Sequence, residues 1–596
     1  MERVAAYDTT LRDGAQQEGI SLSVHDKLQL LPILDELGVT YIEGGWPGAI
    51  PKDTEFFQAA AEIPLRTARL VAFGSTRKAG VKVEDDPQIH GLLDSGAPIV
   101  TVVAKSHLQH VEKALHTSAT ENLEMVRDSV AYLGKHVEVM VDLEHFFDGL
   151  KLDPEYGIQV ALAAAQAGAS TMIPCDTNGG GLPHEIFEQV SRLRTALDEA
   201  GYTDTRIGIH AHNDTGCAVA NTLMAVRAGA RQIQGTVNGY GERTGNANLL
   251  TCIADLQLKM DYTVVPEESL QQFTSISHSV AEIVNLVPSA RSPYVGASAF
   301  AHKAGLHASA IRVDPDLYQH LPPETVGNTR RMLVSEMSGR ASIELKATEL
   351  GIDLGSDPEL VKRVVAQVKA REAEGYTYDA ADASFALLLL DELGKAPTYW
   401  QMESWKAATR EINLFSRQGC SSDEAGSGRA RAASRAGTGG TGAANNSGAG
   451  SSTDASAGTG ATNGERAAIS PGLFTECDAT VKLWTDRRHI CTAEGVGPVN
   501  ALDAALREAL KDSYPLVSQF HLSNFKVRIL DEAKGGTDAT IRTLIDMDYG
   551  ANRWTTVGVG TNIIETSYRA LAEGYRYGLL AAGVEPLVEV ASLKIH

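Results

Sequence analysis

The sequence lacks any long apolar run. In 596 residues, no hydrophobic stretch approaches the roughly 20 residues that a membrane-spanning helix needs. It also lacks an excess of positive charge, since 53 Lys and Arg face 75 Asp and Glu, for a formal net charge of -22. This negative net charge argues against nonspecific binding to nucleic acid or an anionic membrane. It does not exclude a local basic pocket that binds an anion. We therefore expect neither a membrane nor a nucleic-acid partner.

Paired cysteine motifs are absent as well. None of the cysteines shows CxxC spacing, and they are scattered along the chain: Cys175, Cys217, Cys252, Cys420, Cys477 and Cys491. This pattern is typical of reduced thiols in a cytosol-like compartment. The first predicted strand begins within a few residues of Met1, which leaves no room for a signal or transit peptide. The sequence predicts a cytoplasmic protein, or an organellar one if a targeting peptide has been removed.

Glycine motifs that bind phosphate are also missing. The stretches "GVGPVN" and "GVGTNI" lack the GxxxxGK[ST] pattern, and glycines before a helix are commonly turn residues. No early GxGxxG turn occurs either, which disfavours an open doubly wound sheet.

Regular alternation fills the first 240 residues. Eight β-branched apolar runs recur there, beginning with "RVAAYDTT" and "VTYIEGGWP" and ending with "RIGIHAHND" and "RQIQGTVNGYGER". Between them lie helical patterns such as "SVHDKLQLLPILDELG", with apolar residues three and four apart. Eight strands alternating with helices predict an α/β fold, a (β/α)8 TIM barrel over residues 1–265. The alternative is the open doubly wound sheet.

Polar residues follow nearly every one of these strands. A barrel gathers the carboxyl ends of its strands at one mouth, where active sites of this fold lie. We therefore expect the following residues to meet there: Arg12, Asp13, Glu43, Asp142, Glu144, Asp176, Thr177, His210, His212 and Glu242 to Asn246.

Two further regions follow the predicted barrel. Residues 266–395 are mostly helical in pattern, and residues 396–596 carry two strand-strand-strand-helix series that echo each other. Within the first series, residues 418–468 are rich in Gly, Ser and Ala and have almost nothing to bury. They predict a disordered insertion in a hairpin loop, inside an α+β domain of two βββα units.

The stretch "GIHAHND" predicts a metal site. Residues two apart in a strand point to the same side, so His210 and His212 project together into the barrel mouth. Asp13, after the first strand, would lie beside them once the barrel closes. Two imidazoles and one carboxylate suit a divalent metal with open positions for substrate. The alternative is a half-buried polar strand end.

Two distant motifs carry a family resemblance. The segment "LRDGAQ", followed by ten residues and Lys27, and the segment "IHAHNDTGCAVA" resemble both signature motifs of the α-isopropylmalate and homocitrate synthase family. The segment "HKAGLHASA" resembles the family's helical subdomain, and the paired C-terminal units resemble its feedback-binding domain. "DLEHFFDG", "CDTNGG" and "ADASFALLL" are similar to the branch of the family that uses pyruvate.

The resemblance implies a Claisen-type condensation of acetyl-CoA with a 2-oxo acid. It implies a divalent metal ion, Mg²⁺, Mn²⁺ or Zn²⁺, that is bound by Asp13, His210 and His212. Asn246 would be a fourth ligand. Arg12 would face the oxyanion, since it is permanently cationic and directional; its alternative is a structural ion pair with Asp8 or Glu43. By resemblance, Glu43 orders Arg12, Thr177 binds the oxo-acid carboxylate and Glu144 is an active-site acid.

The resemblance also implies a homodimer. His307 and Tyr318 would reach the barrel mouth of a neighbouring subunit, where His307 would act as acid or base. His302 competes for that role, and a structural role for either histidine is open. The C-terminal domain would bind an amino-acid effector, with isoleucine expected if pyruvate is the substrate.

Alternative functions differ in substrate or in class. The oxo acid could be 2-oxoisovalerate, as in 2-isopropylmalate synthase, or 2-oxoglutarate, as in homocitrate synthase. A hydroxymethylglutaryl-CoA lyase would carry a catalytic cysteine after the eighth strand, where this chain reads "GTVNGYGERTGN". A non-catalytic amino-acid sensor is disfavoured because every metal and arginine position is intact.

Overall fold

A computed structural model describes residues 2–355, 357–413, 473–530, 538–550 and 552–587. The chain forms two compact units, Met1–Leu333 and Val334–His596. The domain boundaries predicted at residues 265 and 395 stay predictions. Among the described residues, no helix is long and apolar enough to cross a membrane.

A closed parallel barrel dominates the first unit. Its strands and two flanking short strands are β1 (Glu2–Arg3), β2 (Ala5–Asp8), β3 (Tyr41–Gly45), β4 (Arg69–Ser75), β5 (Ile99–Lys105), β6 (Glu138–Glu144), β7 (Thr171–Asp176), β8 (Arg206–Ile207), β9 (His210–Ala211), β10 (Gln232–Gly235) and β11 (Tyr262–Thr263). Strands β2 to β8 pair in sequence order, and β10 pairs with β2. The short strands β1 and β11 pair outside the barrel.

The seventh predicted strand is split into β8 and β9, which both pair with β7. A Cβ atom at Gly208, between them, would lie 2.8 Å from the Ile173 side chain, so the backbone passes too close for a larger residue. Backbone hydrogen bonds join this region to β10, with Ile209 N–H donating to Gln232 (3.1 Å) and Gln234 N–H donating to Ile209 (2.9 Å). These bonds close the ring, which confirms the (β/α)8 barrel and excludes the open sheet.

Helices cover the barrel and continue beyond it. Those of the first unit are α1 (Val24–Glu36), α2 (Pro51–Ala60), α3 (Pro87–Asp94), α4 (Leu108–Lys113), α5 (Ala119–Leu133), α6 (Phe146–Leu152), α7 (Tyr156–Gln166), α8 (Pro183–Glu199), α9 (Ala218–Arg227), α10 (Leu249–Lys259), α11 (Glu267–Leu270), α12 (Phe273–Ile283) and α13 (Gly305–Val313). Helix α1 shows why the predicted pattern folds this way. Ser23 and Asp26 form a reciprocal capping box, and the apolar residues Leu30, Leu31 and Leu34 are fully buried.

The barrel interior is filled in layers. Alternate inward-facing residues form an apolar cluster of Ala5, Tyr7, Tyr41, Val71, Ile99, Met140, Ile173 and Cys175. Glu43 lies two residues after Tyr41, and Asp142 lies two residues after Met140, so both continue the inward series toward the carboxyl ends. The apolar layer thus forms a floor beneath a polar mouth.

The second unit begins with three helices, α14 (Arg340–Glu349), α15 (Pro358–Ala373) and α16 (Asp382–Glu392), which share an apolar cluster. Before these helices in the sequence, the first unit ends with two short parallel strands, β12 (Ala301–His302) and β13 (Arg331–Met332), which pair with each other.

Two antiparallel sheets complete the second unit. The first contains β14 (Gln401–Asn413), β15 (Leu473–Trp484) and β16 (Arg488–Gly495) and is followed by α17 (Pro498–Leu510). The second contains β17 (His521–Ile529), β18 (Ile541–Tyr549) and β19 (Asn552–Gly560) and is followed by α18 (Ile563–Ala581). Both helices and both sheets contribute to one core, which confirms the α+β domain of two βββα units.

The predicted insertion at residues 418–468 lies outside the described residues. The strands on either side of it, β14 and β15, pair in antiparallel register out to Asn413 and Leu473. β14 and β15 are therefore adjacent antiparallel strands of one sheet.

Deleting residues 426–464 should leave catalysis intact. The composition of this stretch offers no core, and shortening the connection between two strands by this length changes its closure entropy cost by no more than about 1 kcal/mol. We expect an unchanged turnover number and a melting temperature equal to or slightly above that of the full chain, measured by activity assay and calorimetry. Loss of barrel activity in a folded deletion variant would contradict the sequence-based prediction that this segment contributes nothing to the core.

Candidate metal centre and active site

Three predicted metal ligands meet at the barrel mouth. Asp13 follows β2, whereas His210 and His212 project from β9 and the residue after it, and the three side chains are 4 to 6% exposed. One potential ligand atom from each lies within 4.8 Å of the others. The His210 Nε2 atom lies 3.2 Å from His212 Nε2 and 3.7 Å from the Asp13 Oδ2 atom. The ring closure of the barrel therefore brings together residues some two hundred positions apart.

The ionisation of these groups suits a cation. Burial alone would raise the pKa of Asp13, but the Arg12 charge and the two imidazoles lower that pKa to about 2. Burial lowers the pKa of His212 to about 4, helped by His210, and burial also lowers the pKa of His210. At neutral pH the site thus presents one carboxylate and two neutral imidazoles, which are the forms that bind metal.

Asn246, the predicted fourth ligand, stands opposite His212 in an isolated bridge. Its Nδ2 atom donates to the Asp13 Oδ1 atom (2.8 Å) and to the Tyr240 carbonyl (3.0 Å). Its Oδ1 atom is buried and has no hydrogen-bond partner among the described residues. A buried acceptor without a partner is costly, so this oxygen fits a bound cation or a water beside it.

Arg12 lies against the same group. Its Nε atom donates to the Glu43 Oε2 atom (2.6 Å) and its Nη1 atom donates to the Asp13 Oδ2 atom (3.0 Å). The guanidinium carbon stands 3.7 Å from the centre of the Phe73 ring. Burial alone would lower the pKa of Arg12, but the charges of Glu43 and Asp13 outweigh it and raise that pKa above its ordinary value. The guanidinium is thus a fixed positive charge at the mouth.

Glu43 is fully buried beneath Arg12. Tyr7 Oη donates to its Oε1 atom (2.6 Å), and Thr9 Oγ1 donates to its Oε2 atom. The sequence offered a structural ion pair of Arg12 with Asp8 or Glu43 as an alternative role, and the pair with Glu43 is present. Asp8 is not part of it, because Asp8 accepts from the backbone and hydroxyl of Thr10.

Thr177 follows β7, the strand that pairs with β9, and Glu144 ends the neighbouring strand β6. Thr177 Oγ1 accepts a hydrogen bond from the His145 backbone N–H (2.9 Å), which leaves its own hydroxyl hydrogen available to an anion. Glu144 forms an ion pair with Lys105, at the end of the neighbouring strand β5. The roles predicted for both residues stay predictions.

His307 and Tyr318 lie together after the barrel. Their rings stack with centres 4.1 Å apart, and the His302 ring lies 6.1 Å from that of His307. Among the described residues, no hydrogen bond or ion pair joins His307 or Tyr318 to Asp13, His210 or His212. Within one chain the structure therefore does not bring the predicted acid or base to the metal group.

The motif lysine has a structural partner that sequence reasoning missed. Lys27 is buried and donates from Nζ to the Gly44 carbonyl (2.9 Å) and to the Asp53 Oδ1 atom (2.5 Å). Asp53 Oδ2 in turn accepts from the Trp46 backbone N–H (2.9 Å). The pair holds the irregular end of β3, where the register shifts between Glu43 and Gly45. No local pattern near Asp53 could have indicated this role.

Gln234 is a second residue that the sequence did not single out. It lies in β10, and its Oε1 atom is 2.9 Å from the His210 Nδ1 atom. The only sequence signal for this contact is a polar residue at an inward position of the strand "RQIQG".

The fold and this site define the class: a (β/α)8 barrel with a candidate divalent-metal centre at the carboxyl ends of its strands. Residues 3–280 match the HMGL-like family, and residues 294–375 match a homocitrate synthase post-HMGL domain-like family. Residues 465–579 match the LeuA allosteric (dimerisation) domain.

Full-length relatives narrow this class. The chain is 52% identical over 584 residues to an (R)-citramalate synthase of Streptomyces coelicolor, covering 97% of each chain. It is 43% identical over 577 residues to an (R)-citramalate synthase of Synechocystis, covering 96% of this chain and 95% of that one. A probable 2-isopropylmalate synthase of Methanopyrus kandleri is 29% identical over 576 residues, covering 96% of this chain and 98% of that one. The chain belongs to the (R)-citramalate synthase family.

Proposed function

We propose that this enzyme condenses acetyl-CoA with pyruvate and water to give (R)-citramalate and CoA. A bond forms between the acetyl methyl carbon and the keto carbon, and hydrolysis of the thioester releases CoA. The observation that carries the proposal is the buried contact of Arg12 with Asp13, beside His210 and His212. Full-length relatives that bear the (R)-citramalate synthase name support the choice of pyruvate.

Asp13, His210 and His212 would hold a divalent metal ion, Mg²⁺, Mn²⁺ or Zn²⁺, with Asn246 contributing its unpartnered Oδ1 atom. When bound, such an ion polarises the keto carbonyl of the oxo acid and stabilises the developing alkoxide. The donor set of one carboxylate, two neutral imidazoles and an amide oxygen fits this role.

Arg12 would face the oxyanion. Two of its nitrogens are committed to Glu43 and Asp13, so the guanidinium cannot rotate freely. Its Nη2 atom forms no hydrogen bond within the described residues and can donate to substrate. A charge held in place before reaction stabilises a developing anion without reorganisation. Glu43, tied to Tyr7 and Thr9, would act by positioning this guanidinium.

Substrate contacts would come from the other strand ends. The free hydroxyl hydrogen of Thr177 would donate to the oxo-acid carboxylate, and Glu144 would be an acidic active-site residue at the same mouth. His307, or His302 in its place, would exchange the methyl proton of acetyl-CoA, with Tyr318 stacked on the His307 ring. Both would act across a homodimer, at the partner's barrel mouth.

The second unit would regulate the enzyme. Its match to the LeuA allosteric (dimerisation) domain supports a homodimer and an amino-acid effector. If pyruvate is the substrate, isoleucine is the effector expected, because citramalate opens a threonine-independent route to isoleucine.

A CoA-release assay tests the reaction and the substrate. Purified protein with Mn²⁺ and acetyl-CoA should release thiol with pyruvate faster than with 2-oxoisovalerate or 2-oxoglutarate. An additional methyl group is worth about 1–3 kcal/mol in a pocket, or roughly 10- to 200-fold in kcat/KM. Isoleucine should inhibit this release, and leucine should inhibit it less.

The controls are reactions without oxo acid and with metal-stripped protein. Preference for 2-oxoisovalerate would assign a 2-isopropylmalate synthase instead. No CoA release with any oxo acid would overturn the synthase assignment.

A further inference from the structure

A buried hydrogen-bonded chain reaches His210 from beneath the metal group. His210 Nδ1 lies 2.9 Å from the Gln234 Oε1 atom, and Gln234 Nε2 lies 3.3 Å from the Asp142 Oδ1 atom. Gln234 is 1% exposed and Asp142 is 4% exposed. This series of hydrogen bonds crosses the barrel interior from β9 through β10 to β6, so its three residues lie on three different strands.

The contacts determine the direction of the Gln234 amide. If the amide were flipped, its oxygen would face an Asp142 oxygen and its NH₂ group would face His210. Asp142 Oδ1 can accept from Gln234 Nε2 whether the carboxyl group is ionised or protonated. In the observed orientation the amide oxygen faces the imidazole and the NH₂ group donates to Asp142.

The amide oxygen in turn determines the tautomer of His210. A carbonyl oxygen only accepts, so the hydrogen of the neutral imidazole lies on Nδ1 and the lone pair lies on Nε2. Nε2 is the nitrogen that faces the other two members of the metal group, at 3.2 Å from His212 and 3.7 Å from Asp13. The other tautomer would place a hydrogen where a metal must bind.

We propose that Gln234 and Asp142 are positioning residues that hold His210 in the tautomer and orientation required to bind the metal. This inference rests on the proposed metal site. Neither residue touches the substrate or the metal; Gln234 acts through His210, and Asp142 acts through Gln234. Outer contacts of this kind are worth about 10- to 100-fold in metal affinity.

The chain offers a matched control one layer deeper. Gln232 lies on the same face of β10, is fully buried and contacts the Met140 Sδ atom (3.7 Å) rather than a histidine. Gln232→Leu and Gln234→Leu therefore remove the same buried amide from neighbouring layers. Only the second removes a contact to His210.

The first test is calorimetric titration of metal-stripped, full-length protein with Mn²⁺. We expect Gln234→Leu to weaken Mn²⁺ binding about 10- to 100-fold, whereas Gln232→Leu should bind within about threefold of the unaltered protein. Thermal unfolding of each variant checks that it is folded. Unchanged Mn²⁺ affinity in folded Gln234→Leu protein would overturn the proposal.

Two variants of Asp142 test its role. Asp142→Leu removes the acceptor of the Gln234 Nε2 atom and should weaken Mn²⁺ binding. Asp142→Asn keeps an oxygen that can accept from Gln234 and should retain most of the affinity. Unchanged Mn²⁺ affinity in folded Asp142→Leu protein would overturn the relay through Asp142.

The imidazole itself provides a readout that simple packing would not change. In ¹⁵N-histidine-labelled, metal-stripped protein, the His210 signals should report the Nδ1–H form and should shift toward Nε2–H in Gln234→Leu. His210→Gln identifies these signals. An unchanged tautomer in Gln234→Leu would refute the proposed role of Gln234. If the unaltered protein binds no Mn²⁺, the proposed metal site is wrong and the relay fails with it; normal Mn²⁺ binding without CoA release would instead count against the proposed reaction.

Discussion

Asp13→Ala should abolish both metal binding and turnover. Asp13 supplies the only carboxylate of the described metal group, and its low pKa keeps it ionised throughout the range of enzyme assays. Since residues that merely orient a ligand are worth about 10- to 100-fold in metal affinity, loss of the ligand itself should exceed about a hundredfold. Titration of metal-stripped protein and the CoA-release assay measure the two effects. His210→Ala should give the same result.

A surface carboxylate provides the control. Asp198→Ala removes an exposed ion pair with Arg194 on the outside of the barrel, and exposed pairs contribute about 0–1 kcal/mol. This variant should keep its metal content and its activity. Asp13→Asn preserves the side-chain volume, so it separates loss of the charge from loss of packing. Near-normal activity in either Asp13 variant would refute the metal assignment.

Arg12→Lys should lower kcat by about 10²- to 10³-fold while leaving metal binding largely intact. A lysine carries its three donors on a single nitrogen, so it cannot reach Glu43, Asp13 and substrate in the geometry of the planar guanidinium. Loss of one pre-organised donor to an oxyanion costs about that much in other enzymes. Steady-state kinetics with pyruvate and acetyl-CoA, beside Mn²⁺ titration, separates this effect from that of Asp13→Ala.

The structural alternative for Arg12 makes a different prediction. If the arginine only pairs with Glu43, Arg12→Lys should lower the melting temperature and leave kcat within about tenfold. Arg192→Lys is the matched control, because Arg192 in helix α8 forms an exposed ion pair with Glu155 and, within the described part of the chain, contacts none of the metal group. It should change neither quantity measurably.

Local sequence patterns predicted the strands and helices well, because each type of element has its own spacing of apolar residues. The runs that end at Asp8, Glu43 and Asp176 all became buried parallel strands, since alternation with helices leaves both faces of each strand covered. The spacing of His210 and His212 placed both side chains at the mouth. The metal group was predictable for the same reason, because the carboxyl ends of barrel strands converge.

Contacts between distant elements were not predictable in this way. Lys27 was visible as a motif position, but its partner Asp53 lies on another helix and has no motif of its own. Gln234 and Asp142 are each one polar residue in a strand. The role of each depends on which side chain it contacts across the barrel. A strand pattern contains no information about contacts with residues of distant strands.

The sequence by itself determined the order of strands and helices, the two βββα units and the residues able to bind metal, because periodicity, strand-end polarity and motifs are local. Only the tertiary structure decided that Arg12 is held by Glu43 and Asp13, and that the Gln234 side chain lies 2.9 Å from the His210 Nδ1 atom. The physical reason is closure of the barrel: β10 hydrogen-bonds to β2 on one side and to Ile209 on the other. These two contacts bring residues from opposite ends of the barrel sequence into one buried network.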